Sequence, residues 1–316
     1  MCEEKMLELY YLMLRIRRFE EKVSELFAKG RMAGFLHLCI GQEASEAGVC
    51  AALNKDDWIT GTHRGHGQLL AKGADMRRIM AELYGKETGY CGGKGGSMHI
   101  AVPELGILGT NGIVGASLPL AVGAAFSAKY RKSGQVAVSF FGDGAVSEGI
   151  FHESMNLAVV FKLPVVFVCE NNQYGVGTKQ SSVRGVNQIA DKAAGYGMPG
   201  YTIDGNNVEE VFETASRAIS QARSGGGPTL IECVTYRWHT HFEGEPDTYR
   251  SKEEVAQWKA RDPIASYRAK ILSTGIPQSR LSDIEARVEQ EVVDAVNYAE
   301  SSRDPHPASA LEGLYA

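Results

Sequence analysis

The amino-acid sequence predicts an α/β fold in which a mostly parallel sheet carries helices on both faces. The main observation is that β-rich and helical segments alternate from Gln135 onward, a pattern typical of parallel sheets. The second is composition: 316 residues, 44% hydrophobic and 22% charged, suffice for one large domain. Neither an internal repeat nor a low-complexity linker divides the chain. We therefore expect a single domain over residues 1–316 with helical extensions at both ends.

The first half of the chain is predicted to be largely helical. Residues 6–29 carry apolar side chains at helical spacing, and Gly30 is a plausible end of that helix. This stripe indicates packing and comprises Leu12, Ile16, Phe19, Val23 and Leu26. The basic residues beside it are expected to form a solvated face: Arg15, Arg17 and Arg18. Residues 42–53 and 75–85 also read as helices, and 113–131 reads as a buried helix of small residues.

The second half supplies the predicted sheet. Its strands are expected at 135–141, 165–170, 201–204 and 229–238. Helices are expected between them, at 145–161, 189–197 and 208–225. From Ser251 the chain is charged and helical, with one apolar stripe formed by Leu281, Ile284, Val288, Val292 and Val296.

Composition excludes several classes of function. The net charge of −5 argues against a protein that binds nucleic acid or an anionic membrane. No apolar run reaches the roughly 18 residues that a membrane span needs, and the acidic start does not resemble a secretory signal. The six cysteines are scattered without a CxxC pair, so neither a zinc site nor a disulfide framework is indicated. We expect a cytoplasmic protein that acts on a small molecule.

Two glycine motifs fail on their context. GYGMPG at 195–200 matches GxGxxG, but a dinucleotide fingerprint follows a strand and opens a helix, whereas here a helix precedes and a strand follows. GGKGGS at 92–97 lacks the spacing of a nucleoside-triphosphate loop and reads as a mobile glycine loop. Neither motif supports nucleotide binding.

A third motif is consistent with its context. Asp143 lies between two glycines at the end of one predicted strand, and Asn171 and Asn172 end the next, 28 and 29 residues later. A right-handed strand–helix–strand unit brings both ends to one edge of the sheet, where ligands bind. Carboxylate and amide oxygens suit Mg²⁺, which completes its shell with phosphate oxygens and water. From geometry alone, a metal clamp for a diphosphate and a simple turn with an Asp cap remain equally open.

The sequence as a whole resembles the α subunits of two-subunit 2-oxo acid dehydrogenases. GDG, 26 residues and then NN is similar to a thiamine diphosphate-binding motif, and seven blocks occur in the family's order over roughly residues 6–300. They are HLCIGQEA, ITGTHRGHG, GGKGGSMH, NGIVGA, FFGDGA, KLPVVFVCENNQYG and TYRWHTHFEG. Within the family the chain looks most like the acetoin dehydrogenase and pyruvate dehydrogenase E1 α branch. The resemblance implies the thiamine diphosphate-binding fold.

The resemblance also implies the site residues. Asp143, the Asn172 amide and the Tyr174 backbone carbonyl match Mg²⁺ ligands. The diphosphate and the aminopyrimidine ring are matched by His63, Arg64, Gly112, Val114, Gly142, Gly144 and Ala145. His241 matches a loop histidine that lies near the reacting carbon and also touches the cofactor. His37 matches a histidine at the substrate side. His66, His99 and His239 are candidates for supporting the pocket.

The implied function is an oxidoreductase that needs thiamine diphosphate and Mg²⁺. It would cleave a carbon–carbon bond next to a carbonyl and pass the acyl group to a lipoyl-bearing E2. Activity would require a β subunit in an α₂β₂ heterotetramer, because the family places the activating glutamate on β. His63 replaces the usual tyrosine of the pyruvate branch, HTH replaces HGH at Thr240, and Phe242 replaces a regulatory phosphoserine.

Three alternatives remain open. The chain could belong to a thiamine enzyme that uses a non-lipoyl acceptor, it could be a silent scaffold subunit, or it could be a nicotinamide dehydrogenase. The sequence does not identify the substrate among acetoin, pyruvate and other 2-oxo acids.

Overall fold

The computed structural model describes residues 1–312, and the remainder of the domain predicted over 1–316 lies outside them. The helices are α1 Glu3–Ala28, α2 Glu43–Cys50, α3 His66–Ala71, α4 Met76–Leu83, α5 Ser117–Arg131, α6 Gly149–Val160, α7 Val208–Arg223, α8 Lys252–Lys259, α9 Pro263–Ser273 and α10 Gln278–Ser301. The strands are β1 Trp58–Thr60, β2 Ile107–Gly109, β3 Ala137–Gly142, β4 Val165–Asn171, β5 Tyr174–Gly175, β6 Thr178–Lys179, β7 Gly200–Asp204 and β8 Thr229–Val234. Short 3₁₀ helices lie at Pro103–Leu105, Asp143–Ser147, Gln180–Ser182, Ile189–Tyr196 and Pro307–Leu311.

Six strands form one sheet in the order β2-β1-β3-β4-β8-β7, and each neighbouring pair is parallel. The predicted α/β class with a parallel sheet is therefore confirmed. The two short strands β1 and β2 were not predicted from the sequence. In the central pair, Gly142 of β3 lies opposite Glu170 of β4, so both strands end at the same level.

The core is divided by the sheet into two apolar layers. In β3, Val138 and Phe140 pack into the layer that contains α1, α2, α7 and α10, whereas Ala137 and Phe141 pack into the layer of α5 and α6. Successive side chains of a strand point to opposite faces, so helices cover the sheet on both sides.

Helix α1 has the buried stripe that the sequence predicts, and Gly30 follows it with φ of 69°. The expectation of a solvated basic face is wrong for Arg17. Its guanidinium is buried and pairs with Glu43 of α2 and with Asp262, which precedes α9. A buried guanidinium needs such partners, and the sequence does not show that two distant carboxylates converge on it.

Helix α5 differs from the prediction of a buried helix. Its small residues face the core, but Leu120, Phe126 and Tyr130 are exposed. At the other end of the chain, the expected apolar stripe lies on α10 and packs against α1 and α4.

The structure agrees with the context expected for GYGMPG, whereas the expectation of a mobile glycine loop at 92–97 is wrong. GYGMPG begins at the end of the 3₁₀ helix Ile189–Tyr196 and runs to the first residue of β7, so it is not a dinucleotide turn. The loop at 92–97 is not free: the backbone N–H groups of Cys91, Gly93, Gly95 and Gly96 donate to the buried carboxylate of Glu82 at 2.7–3.2 Å. Its nest of amides is thus occupied by a side chain rather than open to a phosphate.

Within residues 1–312, none of the helices combines the length and apolar composition that crossing a bilayer requires.

Candidate active site

A cavity of about 340 Å³ lies at the carboxyl ends of β3 and β4. Its walls come from the turn after β1, the segment before α5, the glycine turn after β3, the β4–β5 connection and the loop after β8. This is the edge at which open parallel sheets bind ligands. Ten of the predicted cofactor or metal residues line it: His63, Arg64, Val114, Gly142, Asp143, Gly144, Ala145, Asn172, Tyr174 and His241.

The Asp143 carboxyl group is strongly perturbed by its position at the sheet edge. It is 5% exposed, and burial raises its pKa from 3.8 to about 6. Its Oδ2 atom has no hydrogen-bond partner. A buried carboxylate oxygen without a partner is costly, and a bound cation would supply the missing interaction.

The structure distinguishes the two adjacent asparagines. Asn171 turns its amide nitrogen to Glu232 at 2.6 Å and does not line the cavity, whereas Asn172 does. The Asn172 amide nitrogen donates to Gln42 Oε1 at 2.9 Å, which leaves its Oδ1 with only a long 3.4 Å contact from the Tyr174 N–H. Gln42 thus orients the amide so that its oxygen can serve a metal.

The donor set fits Mg²⁺. Asp143 offers an unpaired anionic oxygen and Asn172 an amide oxygen, both hard ligands of the kind that Mg²⁺ takes from proteins. The third predicted ligand, the Tyr174 carbonyl, accepts a hydrogen bond from Arg237 Nη1 at 3.1 Å. A carbonyl oxygen has two lone pairs, so this bond still leaves one for a metal.

The glycines beside Asp143 allow a close approach of the backbone. A Cβ on Gly142 would meet no atom within 4 Å, and a Cβ on Gly144 would lie 3.4 Å from the Gly175 backbone. The sequence predicted that a helix starts directly after this turn. Instead the 3₁₀ helix Asp143–Ser147 intervenes, and α6 begins only at Gly149.

Two buried arginines border the cavity. Arg64 is 3% exposed and donates to the carbonyls of Leu38 at 2.6 Å and His241 at 3.0 Å. Burial, together with Arg237, lowers the Arg64 pKa to about 10. Arg237 is 1% exposed and donates to Tyr249 Oη at 2.8 Å.

No carboxylate within residues 1–312 forms a salt bridge with either Arg64 or Arg237. Two desolvated guanidinium groups without a counter-ion favour an anionic ligand, and their planar forks match phosphate oxygens.

Three histidines meet at one side of the cavity. The rings of His37, His63 and His241 lie with centroids 4.7, 5.0 and 5.3 Å apart. Burial and the nearby Arg64 lower the pKa of His37 to about 3, of His63 to about 2 and of His241 to about 4. All three imidazoles are therefore neutral near pH 7.

The remaining predicted residues do not line the cavity, namely His37, His66, His99, Gly112 and His239. Gly112 does not line the cavity, although Asn111 and Ile113 do, and a Cβ on Gly112 would lie 3.4 Å from His99. His66 is fully buried between Glu20 and Ser97, each at 2.9 Å. His239 lies outside the cavity wall and pairs with Glu243 at 2.7 Å.

Sequence reasoning missed Gln42, Glu170 and Arg237. Glu170 lines the cavity, and burial raises its pKa to about 8, while Gln68 donates to it at 2.8 Å. All three lie inside the blocks that carry the resemblance. Glu170 and Arg237 also come at or just beyond the carboxyl ends of β4 and β8, and that placement alone could have identified them.

The chain matches the family model described as "Dehydrogenase E1 component" over residues 11–308. The chain belongs to this family. It is 50% identical to the α subunit of acetoin:2,6-dichlorophenolindophenol oxidoreductase from Bacillus subtilis, over 100% of this chain and 95% of the relative. It is 43% identical to the subunit of the same name from Cupriavidus necator, over 99% and 95%. It is 42% identical to the pyruvate dehydrogenase E1 component α subunit of Zymomonas mobilis, over 99% and 88%.

These findings confirm the resemblance stated from the sequence. The E1 family implies thiamine diphosphate as the cofactor, and the α-subunit names of the relatives imply a β partner. In this E1 chain, the unpartnered carboxylate oxygen of Asp143 and the guanidinium groups of Arg64 and Arg237 border one cavity.

Proposed function

We propose that this chain is the α subunit of a thiamine diphosphate-dependent E1 oxidoreductase of the acetoin dehydrogenase or pyruvate dehydrogenase type. The enzyme cleaves a carbon–carbon bond next to a carbonyl and passes the acyl group to a lipoyl-bearing E2. One observation carries this proposal. The unpartnered Asp143 oxygen borders the same cavity as two buried arginines, Arg64 and Arg237, which lack carboxylate partners among the described residues. Membership of the E1 family supports it independently.

Each part of the cofactor has a place on the cavity wall. Asp143, Asn172 and the Tyr174 carbonyl would hold Mg²⁺. Arg64 and Arg237, with His63 and the backbone of Gly142, Gly144 and Ala145, would hold the diphosphate. Gly112 and Val114 would lie beside the aminopyrimidine ring. When bound, the cofactor supplies the carbanion that the reaction needs.

His241 is proposed to move or hold a proton at the reacting carbonyl. Its backbone is fixed from both sides: the N–H donates to Glu245 at 2.8 Å and Tyr249 at 3.0 Å, and the carbonyl accepts from Arg64. The neutral imidazole can donate at one nitrogen and accept at the other. His37 packs against His241 and is proposed to contact the substrate.

Part of the cavity wall and the surface beside it expose large apolar side chains, as expected where a β subunit binds. Ile113 is 71% exposed and Val114 49% exposed, although both line the cavity. The outer faces of α5 and α6 and the adjoining turn expose further large apolar residues, Leu120, Phe126, Tyr130, Leu157, Val160 and Phe161. The rings of Phe126 and Phe161 pack against each other with centroids 5.5 Å apart, and exposed apolar patches are typical of interfaces. We propose that β covers this surface in an α₂β₂ heterotetramer and supplies the carboxylic acid that activates the cofactor.

The test is oxidative turnover with a dye acceptor, measured for the purified chain with and without the β partner. Acetoin, pyruvate and branched-chain 2-oxo acids are compared, since the relatives include both acetoin and pyruvate enzymes. We expect turnover only when β is present, and lipoyl reduction when E2 is added. Full activity of the homogeneous chain alone would contradict the division of labour.

The alternatives have separate readouts. Turnover with the dye but none with lipoyl E2 would indicate a different acyl acceptor. Absence of thiamine diphosphate binding in a titration would indicate a silent scaffold. Measurable NAD binding would revive the nicotinamide hypothesis, which the context of GYGMPG disfavours.

A further inference from the structure

Ring nitrogens from three histidines converge in the cluster formed by His37, His63 and His241. One ring nitrogen of each histidine can be chosen so that all three atoms lie within 4.8 Å of one another. The Nδ1 atoms of His37 and His241 are buried and have no hydrogen-bond partner. Buried ring nitrogens are normally paired, so this convergence needs an explanation.

The histidines come from three separate segments of the fold. His37 lies in the connection between α1 and α2, His63 in the turn between β1 and α3, and His241 in the loop after β8. One buried side chain ties these segments together: Arg64, which follows His63 in the sequence, donates to the Leu38 carbonyl beside His37 and to the His241 carbonyl. The cluster is therefore set by the fold and is not an accident of one flexible loop.

We propose that His37, His63 and His241 form a site for a borderline divalent transition-metal ion, for which Zn²⁺ is the probe. This site is separate from the oxygen site of Asp143 and Asn172. Three imidazoles and an open fourth position are a common zinc arrangement. Zn–N distances are about 2.0–2.1 Å, so a shared ion requires small side-chain rotations that bring the nitrogens closer together.

The chemistry of the ligands selects the ion. Imidazole suits Zn²⁺, Cu²⁺ and Ni²⁺, whereas Mg²⁺ prefers oxygen, so the two sites discriminate between metals. Metal binding needs neutral imidazoles, and the lowered pKa values of all three rings provide that form at neutral pH. The buried charges of Arg64 and Arg237 oppose a dication here and limit its affinity, and a bound anion at the arginines would offset them.

Binding is measured on the full chain by isothermal titration with Zn²⁺, and by the visible spectrum of Co²⁺ in its place. Wild type is compared with His37→Gln, His63→Gln and His241→Gln. The matched control is His152→Gln, because His152 is exposed on α6 away from the cluster. Circular dichroism melts establish that each variant is folded.

We expect one Zn²⁺ per chain and a four-coordinate Co²⁺ spectrum for wild type and for His152→Gln. Each cluster variant should weaken binding by more than about 10-fold, since even partners outside the ligand shell change metal affinity by about 10- to 100-fold. X-ray absorption of the wild-type zinc complex, which requires no variant, should show imidazole ligands. Absence of stoichiometric binding, or equal binding by all four variants, would overturn the proposal.

A consequence for turnover rests on the proposed function. His63 and His241 line the cavity, where they are proposed to contact the diphosphate and the reacting carbonyl, so an ion bound to them would obstruct the cofactor and the substrate. Zn²⁺ should inhibit the reconstituted αβ enzyme in excess Mg²⁺, and a zinc-selective chelator should restore the rate. Binding without inhibition would overturn this consequence, whereas absence of turnover before zinc is added would count against the proposed function instead.

Discussion

Replacing Asp143 by asparagine should have opposite effects on the stability of the cofactor-free chain and on cofactor binding. The carboxyl is buried at the sheet edge, its Oδ2 atom has no partner, and its pKa is raised to about 6. The ionised carboxylate is therefore disfavoured in the folded chain, and a bound cation would stabilise it. Asparagine keeps the size of the side chain and removes the charge.

The stability effect follows from linkage. The unfolded carboxyl has its ordinary pKa of 3.8, so the folded state holds the proton more tightly. Stability is lost as pH rises from about 4 to 6 and stays lower above that range. A difference of about two pKa units corresponds to about 3 kcal/mol. The cofactor-free Asp143→Asn variant should thus be more stable than wild type at pH 7 to 8, by up to about that amount.

The binding effect has the other sign. Breaking a buried charge contact costs about 3–5 kcal/mol, which lowers affinity on the order of 10²- to 10⁴-fold. In wild type, binding should also weaken about tenfold between pH 7 and pH 5, because the ionised fraction falls by about that factor around a pKa of about 6.

Urea unfolding of the metal-free chain and calorimetric titration with thiamine diphosphate and Mg²⁺ measure the two effects. Asp283→Asn is the matched control, since Asp283 is exposed on α10. Unchanged cofactor affinity in Asp143→Asn would refute the metal assignment. A variant less stable than wild type at pH 8 would refute the inference that this buried charge is unfavourable without metal.

Three further changes test other parts of the site. His241→Ala should leave cofactor affinity intact and lower the turnover of the αβ complex about 10²–10⁴-fold; unchanged turnover by the folded variant would remove it from the mechanism. Arg237→Lys should weaken diphosphate binding in a fluorescence titration by roughly 10- to 100-fold, the scale of one hydrogen bond to a charged group. An unaltered affinity would show that Arg237 only supports the Tyr174 carbonyl. Glu82→Gln should lower the free energy of unfolding by about 1.5–3 kcal/mol, since the carboxylate that binds four backbone amides loses its charge. Glu104→Gln is the control, because Glu104 is exposed and its replacement should not lower stability. Equal thermal midpoints of the two variants would contradict this role of the Glu82 charge.

The fold was predictable where apolar periodicity is strong. The strands β3, β4 and β8 and the helices α1, α7 and α10 follow from spacing alone, because each buries a continuous stripe or run. The edge strand β7 was also predicted, although only Ile203 of its five residues is buried. The strands β1 and β2 have three residues each, too few for a period to appear. They join the sheet through backbone pairing with strands far along the chain: β1 pairs with β3, and β2 pairs with β1.

The site was predictable where strand ends fix positions. The ends of β3 and β4 place Asp143 and Asn172 together, and the sequence order alone indicates this. The burial of Arg17 and the orientation of Asn172 by Gln42 were not predictable, since they depend on contacts between residues far apart in sequence. The exposed face of α5 was missed for a related reason: an exposed apolar residue has the same sequence signal as one that faces the core.

The distribution of unsatisfied polar atoms is independent support for the site, because it uses neither motif nor resemblance. Among the described residues, 16 buried side-chain nitrogen and oxygen atoms have no hydrogen-bond partner. Six belong to residues that line the active-site cavity, namely Ser117, Asp143, Glu170, Gln180, Arg237 and His241. Folded chains pair nearly all such atoms, so a concentration of exceptions marks a place where the missing partners come from a ligand. The exceptions include both acidic oxygens and a guanidinium nitrogen, so the ligand that completes this site must present a cation to one wall and an anion to the other.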